Sequence, residues 1–142
     1  ANLGFEVRAG SENSMIENNL FVENKTGLAL GHDKEDPADY LHINLTTVDN
    51  VFLQNGRSGR GEVLTMAHLR NAVISNNILA HSSGSGNRTI NIYEDNNPIT
   101  LSDVQITDNI VWDVENRGFR VGSSRLEDVT IEGNVINSAR DV

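Results

Sequence analysis

One phrase recurs five times along this 142-residue chain, and it constrains the fold more than any other feature. The phrase is an apolar-x-apolar stretch, a short turn ending in asparagine or closed by one, then two apolar residues. It reads Ser14-Met15-Ile16-Glu17-Asn18-Asn19-Leu20-Phe21, then Leu45-Thr46-Thr47-Val48-Asp49-Asn50-Val51-Phe52, then Ala72-Val73-Ile74-Ser75-Asn76-Asn77-Ile78-Leu79. It returns as Val104-Gln105-Ile106-Thr107-Asp108-Asn109-Ile110-Val111 and as Val129-Thr130-Ile131-Glu132-Gly133-Asn134-Val135-Ile136. The anchoring asparagines Asn19, Asn50, Asn77, Asn109 and Asn134 are separated by 31, 27, 32 and 25 residues, so the unit is about 25 residues with loops of variable length.

A second phrase follows the first in four units: a loop with Gly or a polar turn, then another alternating stretch. These stretches are Leu28-Ala29-Leu30, Leu64-Thr65-Met66, Ile90-Asn91-Ile92 and Phe119-Arg120-Val121. Alternation with period two makes half-buried strands, and no helical period occurs. A propeller blade needs about 40 residues and a leucine-rich repeat its own leucine spacing. Three short strands per unit, with an asparagine at one tight turn, fit an all-β parallel β-helix: a single solenoid domain over 1–142 of about five coils.

Composition supports an ordered repeat. Asparagine occurs 19 times and proline twice. Asparagine favours turns over helices and strands. Stacked at equivalent turns, these residues form a ladder in which each amide bonds its own backbone and that of the next coil. Two inward rows are expected, Ile16/Thr47/Ile74/Ile106/Ile131 and Leu20/Val51/Ile78/Ile110/Val135. Thr47 is the polar exception, which a local bulge would accommodate. Trp112 is expected to close the core.

The net charge is −9, from 11 Lys+Arg and 20 Asp+Glu, which argues against nucleic acid as a partner. No apolar run approaches the ~18 residues of a membrane span. Cysteine is absent, so disulfides and thiolate chemistry are excluded. The first residue, Ala1, suggests a processed or excised piece.

In these repeats the chain resembles the right-handed parallel β-helix superfamily, the pectate-lyase-like fold, over about residues 11–142. That superfamily includes polysaccharide lyases, glycoside hydrolases, uronate epimerases, phage tailspikes and adhesins, so the fold does not choose the chemistry. Family enzymes generally have more coils, and a small version or a fragment is expected here, with open coil ends through which it could form a homo-oligomer. The resemblance implies a secreted, periplasmic or cell-surface protein. It also implies a substrate groove outside the first sheet, the one holding Leu28, Leu64, Ile90 and Phe119. Outward residues on that sheet would be Ala29, Thr65, Asn91 and Arg120, then Gly31, Ala67, Tyr93 and Gly122. His32, His68 and Glu94 would follow at the corner.

Charge sorts by face. Lys25, Arg57, Arg60, Arg88 and Arg117 lie in the loops before the first sheet, and Arg120 lies on it. Glu17, Asp49, Asp108 and Glu132 lie on the second sheet and its turn. Arginine binds carboxylates bidentately, which suits a uronate polysaccharide. An ordinary solvated surface is the alternative. Arg120 is the candidate base or carboxylate clamp, and His68, at the same corner as His32, is a candidate acid/base. Lys25, Arg57, Arg60, Thr65, Arg88, Asn91, Tyr93 and Arg117 are candidate substrate contacts, with Tyr40 and Tyr93 able to stack on a sugar. Asp33 and Asp36 in the acidic loop, with Glu94 and Asp95, offer hard oxygen ligands, and calcium is the cofactor they would take. A solvated loop is the competing reading.

Two classes of function follow. One is a carbohydrate-active or carbohydrate-binding module for an acidic polysaccharide, of lyase or C5-epimerase type if catalytic. The other is a non-catalytic structural, adhesin or tailspike-like segment.

Overall fold

The computed structural model describes residues 3–7, 10–30, 41–56, 62–82, 88–93, 101–115, 117–122 and 125–138. Every element among them is a strand. In chain order they are β1 (Leu3–Val7), β2 (Met15–Glu17) and β3 (Leu20–Val22), then β4 (Thr26–Leu30), β5 (His42–Val48) and β6 (Val51–Leu53). β7 (Leu64–Ala67), β8 (Leu69–Ser75) and β9 (Ile78–Ala80) follow, then β10 (Arg88–Tyr93), β11 (Leu101–Thr107) and β12 (Ile110–Val114). The last are β13 (Arg117–Gly122), β14 (Leu126–Glu132) and β15 (Val135–Ser138).

The strands sort in rotation into three five-stranded parallel sheets. The first sheet is β1-β4-β7-β10-β13, the second is β2-β5-β8-β11-β14, and the third is β3-β6-β9-β12-β15. This is a parallel β-solenoid, the all-β architecture that the two repeated phrases imply. The recurring phrase marks the passage from the second sheet to the third. The first sheet gains a member that the repeats did not mark, β1, which pairs with β4 from Leu3↔Thr26 to Val7↔Leu30.

The asparagine ladder forms as expected. The backbone N–H of Asn19 donates to Asn50 Oδ1 (3.0 Å), that of Asn50 to Asn77 Oδ1 (3.0 Å), that of Asn77 to Asn109 Oδ1 (3.0 Å) and that of Asn109 to Asn134 Oδ1 (2.9 Å). Each side chain also reaches back to backbone carbonyls: Asn50 Nδ2 donates to Ile16 O (2.8 Å) and Val48 O (2.9 Å). Corners leave backbone groups unpaired, and a buried unpaired group costs about 1–3 kcal/mol, so each amide removes several such penalties at once. A second, shorter ladder stands at the far corner of the third sheet. There Asn24 N donates to Asn55 Oδ1 (3.0 Å), and Asn55 Nδ2 donates to Phe21 O (2.7 Å).

Asn13, Asn18, Asn44, Asn71 and Asn76, with several aspartates, make the corners themselves. Asn18, Asp49, Asn76 and Asp108 precede the ladder at φ 56°, 55°, 54° and 56°, and Gly133 takes that place at φ 67°. Asn13, Asn44, Asn71, Asp103 and Asp128 form another left-handed column at φ 50–54° that bends the chain at the second sheet. Asn and Asp tolerate this region better than other side chains, because their short polar groups bond locally. Glycine carries no such penalty at all.

The core is built from inward rows stacked in register. From the first sheet come Leu28, Leu64, Ile90 and Leu30, Met66, Ile92, all at most 1% exposed. From the second come Leu45, Ala72, Val104 and Thr47, Ile74, Ile106. Thr47 pairs regularly with Ile16 and Ile74, so no bulge accompanies it. Its hydroxyl is buried without a hydrogen-bond partner.

The third sheet corrects one expected row. Phe21, Phe52, Leu79, Val111 and Ile136 face inward, with Phe52, Leu79 and Val111 fully buried and the Phe21 and Phe52 rings stacked at 4.7 Å. Leu20, Val51, Ile78, Ile110 and Val135 face outward instead, with Leu20 64% and Val135 53% exposed. Trp112, expected in the core, lies on the same outer face and is 49% exposed. The first two residues are apolar in all five of these strands, and the third is apolar in all but β15. Alternation therefore carries no contrast, and the left-handed corner residues set the phase.

Candidate functional site

Parallel register brings one outward row together on the first sheet: Glu6, Ala29, Thr65, Asn91 and Arg120. Strand spacing of about 4.8 Å places these residues on neighbouring rungs. Ala29, Thr65 and Asn91 are only 1–3% exposed, whereas Arg120 is open to solvent. The middle of this face is thus closed, with Glu6 partly exposed at the β1 edge and Arg120 exposed at the β13 edge. Asn91 Nδ2 donates to Glu62 Oε1 at 2.9 Å. Asn91 Oδ1 and Thr65 Oγ1 are buried without hydrogen-bond partners. Two such atoms on adjacent rungs favour a polar occupant above them, water or ligand.

Arg120 runs along its own strand. A Cβ added at Gly122 would come 3.1 Å from Arg120 Nε and 3.4 Å from its Cζ. Glycine two residues on therefore leaves room for the guanidinium on the outer face. Arg88 and Arg117 are register partners at the starts of β10 and β13, and Tyr93 pairs with Ala67 and Gly122. Lys25 is exposed just before β4. Arg57, Arg60, His32, Asp33, Asp36, Tyr40, Glu94 and Asp95 lie outside the described residues. Among the described residues, no three His, Asp or Glu side chains come together as a metal ion would require.

His68 occupies the left-handed corner between β7 and β8 at φ 56° and is 2% exposed. It is therefore a buried residue at the rim of this sheet. Its neighbour is His42, whose backbone N–H donates to His68 O at 2.9 Å. His42 is fully buried, with Nδ1 2.9 Å from Ser11 Oγ and Nε2 lacking a hydrogen-bond partner. Burial, reinforced by His68, lowers the His42 pKa to about 4, so its ring is neutral at physiological pH. Sequence reasoning missed His42, which stands 26 residues before His68, because only the winding of the chain makes them neighbours. Ser11 and His42 make a hydrogen-bonded pair, but a histidine with so low a pKa is a weak base toward a hydroxyl.

A cavity of ≈ 600 Å³ opens elsewhere, at the end of the solenoid made by β1, β2 and β3, against Phe5, Met15, Leu20 and Phe21. It lies where the inward rows run out, and it gathers no charged side chain. Comparison with protein-family models, curated proteins and solved structures finds no match to this chain. No helix among the described residues is long and apolar enough to cross a membrane.

Proposed function

We propose that this chain is a carbohydrate-binding or carbohydrate-active module of the right-handed, pectate-lyase-like β-helix type, directed at an acidic uronate polysaccharide along the outside of the first sheet. The observation that carries the reading is the row Thr65, Asn91, Arg120. It combines two buried polar side chains that have unpartnered atoms with an exposed guanidinium on the next rung. A guanidinium pairs bidentately with a carboxylate, and the neighbouring amide and hydroxyl suit sugar hydroxyls. In sequence, Lys25, Arg57, Arg60, Arg88 and Arg117 precede or begin strands of this sheet, and they are the further cations proposed to join Arg120. Such a cationic side can hold a polyanion despite the net charge of −9.

If the module is catalytic, the reaction is proton abstraction beside the uronate carboxylate. Cationic neutralisation of that carboxylate acidifies C5–H, and a base removes the proton. In a lyase the electron pair forms the C4–C5 double bond and expels the C4 oxygen. In an epimerase a proton returns to the opposite face. Arg120 is the residue proposed to touch the carboxylate or take the proton. His68, 2% exposed at the corner, has no open path to that proton.

A second reading rests on an equally specific observation. Ala29, Thr65 and Asn91 are closed to solvent, as they would be in a purely structural, adhesin-like or tailspike-like segment. Incubation with alginate, pectate and chondroitin-type polymers, with calcium and with chelator, separates the two. Growth of ultraviolet absorbance from unsaturated uronate establishes a lyase. Binding without turnover, lost in Arg117→Ala and Arg120→Ala at unchanged thermal stability, establishes a module. Neither binding nor turnover on any of these polymers leaves the structural reading.

A further inference from the structure

The outer face of the third sheet has no role in the reading above, and it is apolar on every rung from β3 to β12, with Asn137 the one polar residue at the β15 edge. One row runs Leu20, Val51, Ile78, Ile110, Val135 and the next runs Val22, Leu53, Ala80, Trp112, with Asn137 at its β15 end. Leu20, Val22, Ile78, Ile110, Trp112 and Val135 are 40–64% exposed. Six large side chains exposed to this degree leave on the order of 500 Å² of apolar surface, in the size range where the largest patch of a protein is often functional. No residue of either row is charged. Instead, Asp49 and Asp108 stand in the corner column on one flank, and Glu23, His81 and Asp113 in the column on the other, where His81 Nδ1 lies 2.7 Å from Asp113 Oδ2.

We propose that this face pairs with the same face of a second copy of the chain, sheet on sheet about 10 Å apart, around a two-fold axis. Three observations select that occupant. A sugar ring stacked on Trp112 would need several hydrogen-bond partners around it, and the two rows supply only Asn137 at the β15 edge. A basic partner would be steered to the acidic flanks rather than to a neutral centre. A second copy presents apolar rows at the same rung spacing, and the face matches itself. With the axis at β9, Ala80 leaves a hollow at the centre, Trp112 faces Leu53 of the other copy, and Leu20 faces Val135. Joining two such faces removes on the order of 1,000 Å² from water, the lower bound for a specific interface, so dissociation falls in an accessible concentration range.

Trp112 is the chain's single tryptophan and reports directly on this face. Sedimentation velocity and tryptophan emission of the full chain, from about 1 µM to about 500 µM, test the pairing. The mass is expected to rise from 15.6 kDa toward twice that value, with emission shifting to the blue over the same range. Added salt should strengthen association, because it screens the acidic flanks against each other. Ile78→Lys and, separately, Ile110→Lys should stay monomeric with red emission and unchanged circular dichroism, since both side chains point to solvent. Gln105→Lys, on the exposed side of the second sheet, should still dimerise. A chain that stays monomeric throughout overturns the proposal. So does blue emission independent of concentration, which would mean that the chain covers this face itself. Dimers that survive both lysine variants would place the contact elsewhere and overturn it as well.

Discussion

Asn77 shows how much one side chain can carry in a solenoid. It is fully buried, and its Nδ2 lies 2.9 Å from Thr47 O, 3.0 Å from Ser75 O and 3.0 Å from Asn109 Oδ1. Its Oδ1 accepts from Asn50 N. Asn77→Ala strands these backbone groups in the interior, and urea denaturation should show a loss of about 2–4 kcal/mol. Asn77→Asp should cost at least as much, because a carboxylate cannot donate to the two carbonyls. Asn71, an exposed asparagine at φ 51°, makes the contrast. Asn71→Gly gives up one surface hydrogen bond to Asn44 and should stay within about 1 kcal/mol of the parent.

His42 ties stability to pH at the same scale. Its pKa is about 4 when folded, below the ordinary 6.5. Between those values the unfolded chain binds more protons than the folded one, so stability falls as pH drops from 6.5 toward 4. The full effect of this residue is on the order of 3 kcal/mol. Carboxylates titrate nearby, so the measurement is the difference between parent and His42→Gln across that window. The variant should lose less stability than the parent as pH falls.

Elements are packed by close backbone approach as well as by side chains. Gly27, in β4, donates its N–H to Val63 O at 3.0 Å. A Cβ there would come 2.7 Å from that same carbonyl oxygen and 2.8 Å from Phe52 Cδ1. One obstacle is backbone and the other is a fully buried ring, so neither can yield cheaply. Gly27→Ala should cost about 1–3 kcal/mol, read as a lowered thermal midpoint. Position along the sheet matters too. Strands β1, β2 and β3 at one edge, and β13, β14 and β15 at the other, each have a single partner in their sheet. Interior strands have two.

For the whole molecule, that difference makes stability depend on distance from the edges. Ile74 and Ile131 occupy the same inward row of the second sheet, yet Ile74 is fully buried and Ile131 is 49% exposed. Ile74→Ala should cost about 2–5 kcal/mol and Ile131→Ala distinctly less, a contrast that urea denaturation reads directly. Folding is expected to be slow for the chain's size. The ladder asparagines that must find each other are 25–32 residues apart, so nearly every pairing closes a loop before it stabilises anything.

Much of this architecture was legible in the sequence. Alternation located the second-sheet strands and every first-sheet strand but β1, the 25–32-residue recurrence ordered the three sheets, and the asparagine before each third-sheet strand identified the ladder. These features are local, and a stacked repeat copies a local pattern directly into registered neighbours. Only the tertiary structure decided the rest. Leu20-Phe21-Val22 and Ile110-Val111-Trp112 are apolar at every position, so the corners chose which residues turn inward, and they left Trp112 outside. Thr65 and Asn91 read as open groove residues, but their burial depends on what lies above the sheet, which no strand pattern encodes. His42 and His68 became neighbours because the winding brings His42 beside the corner that His68 forms, a contact that sequence spacing does not announce.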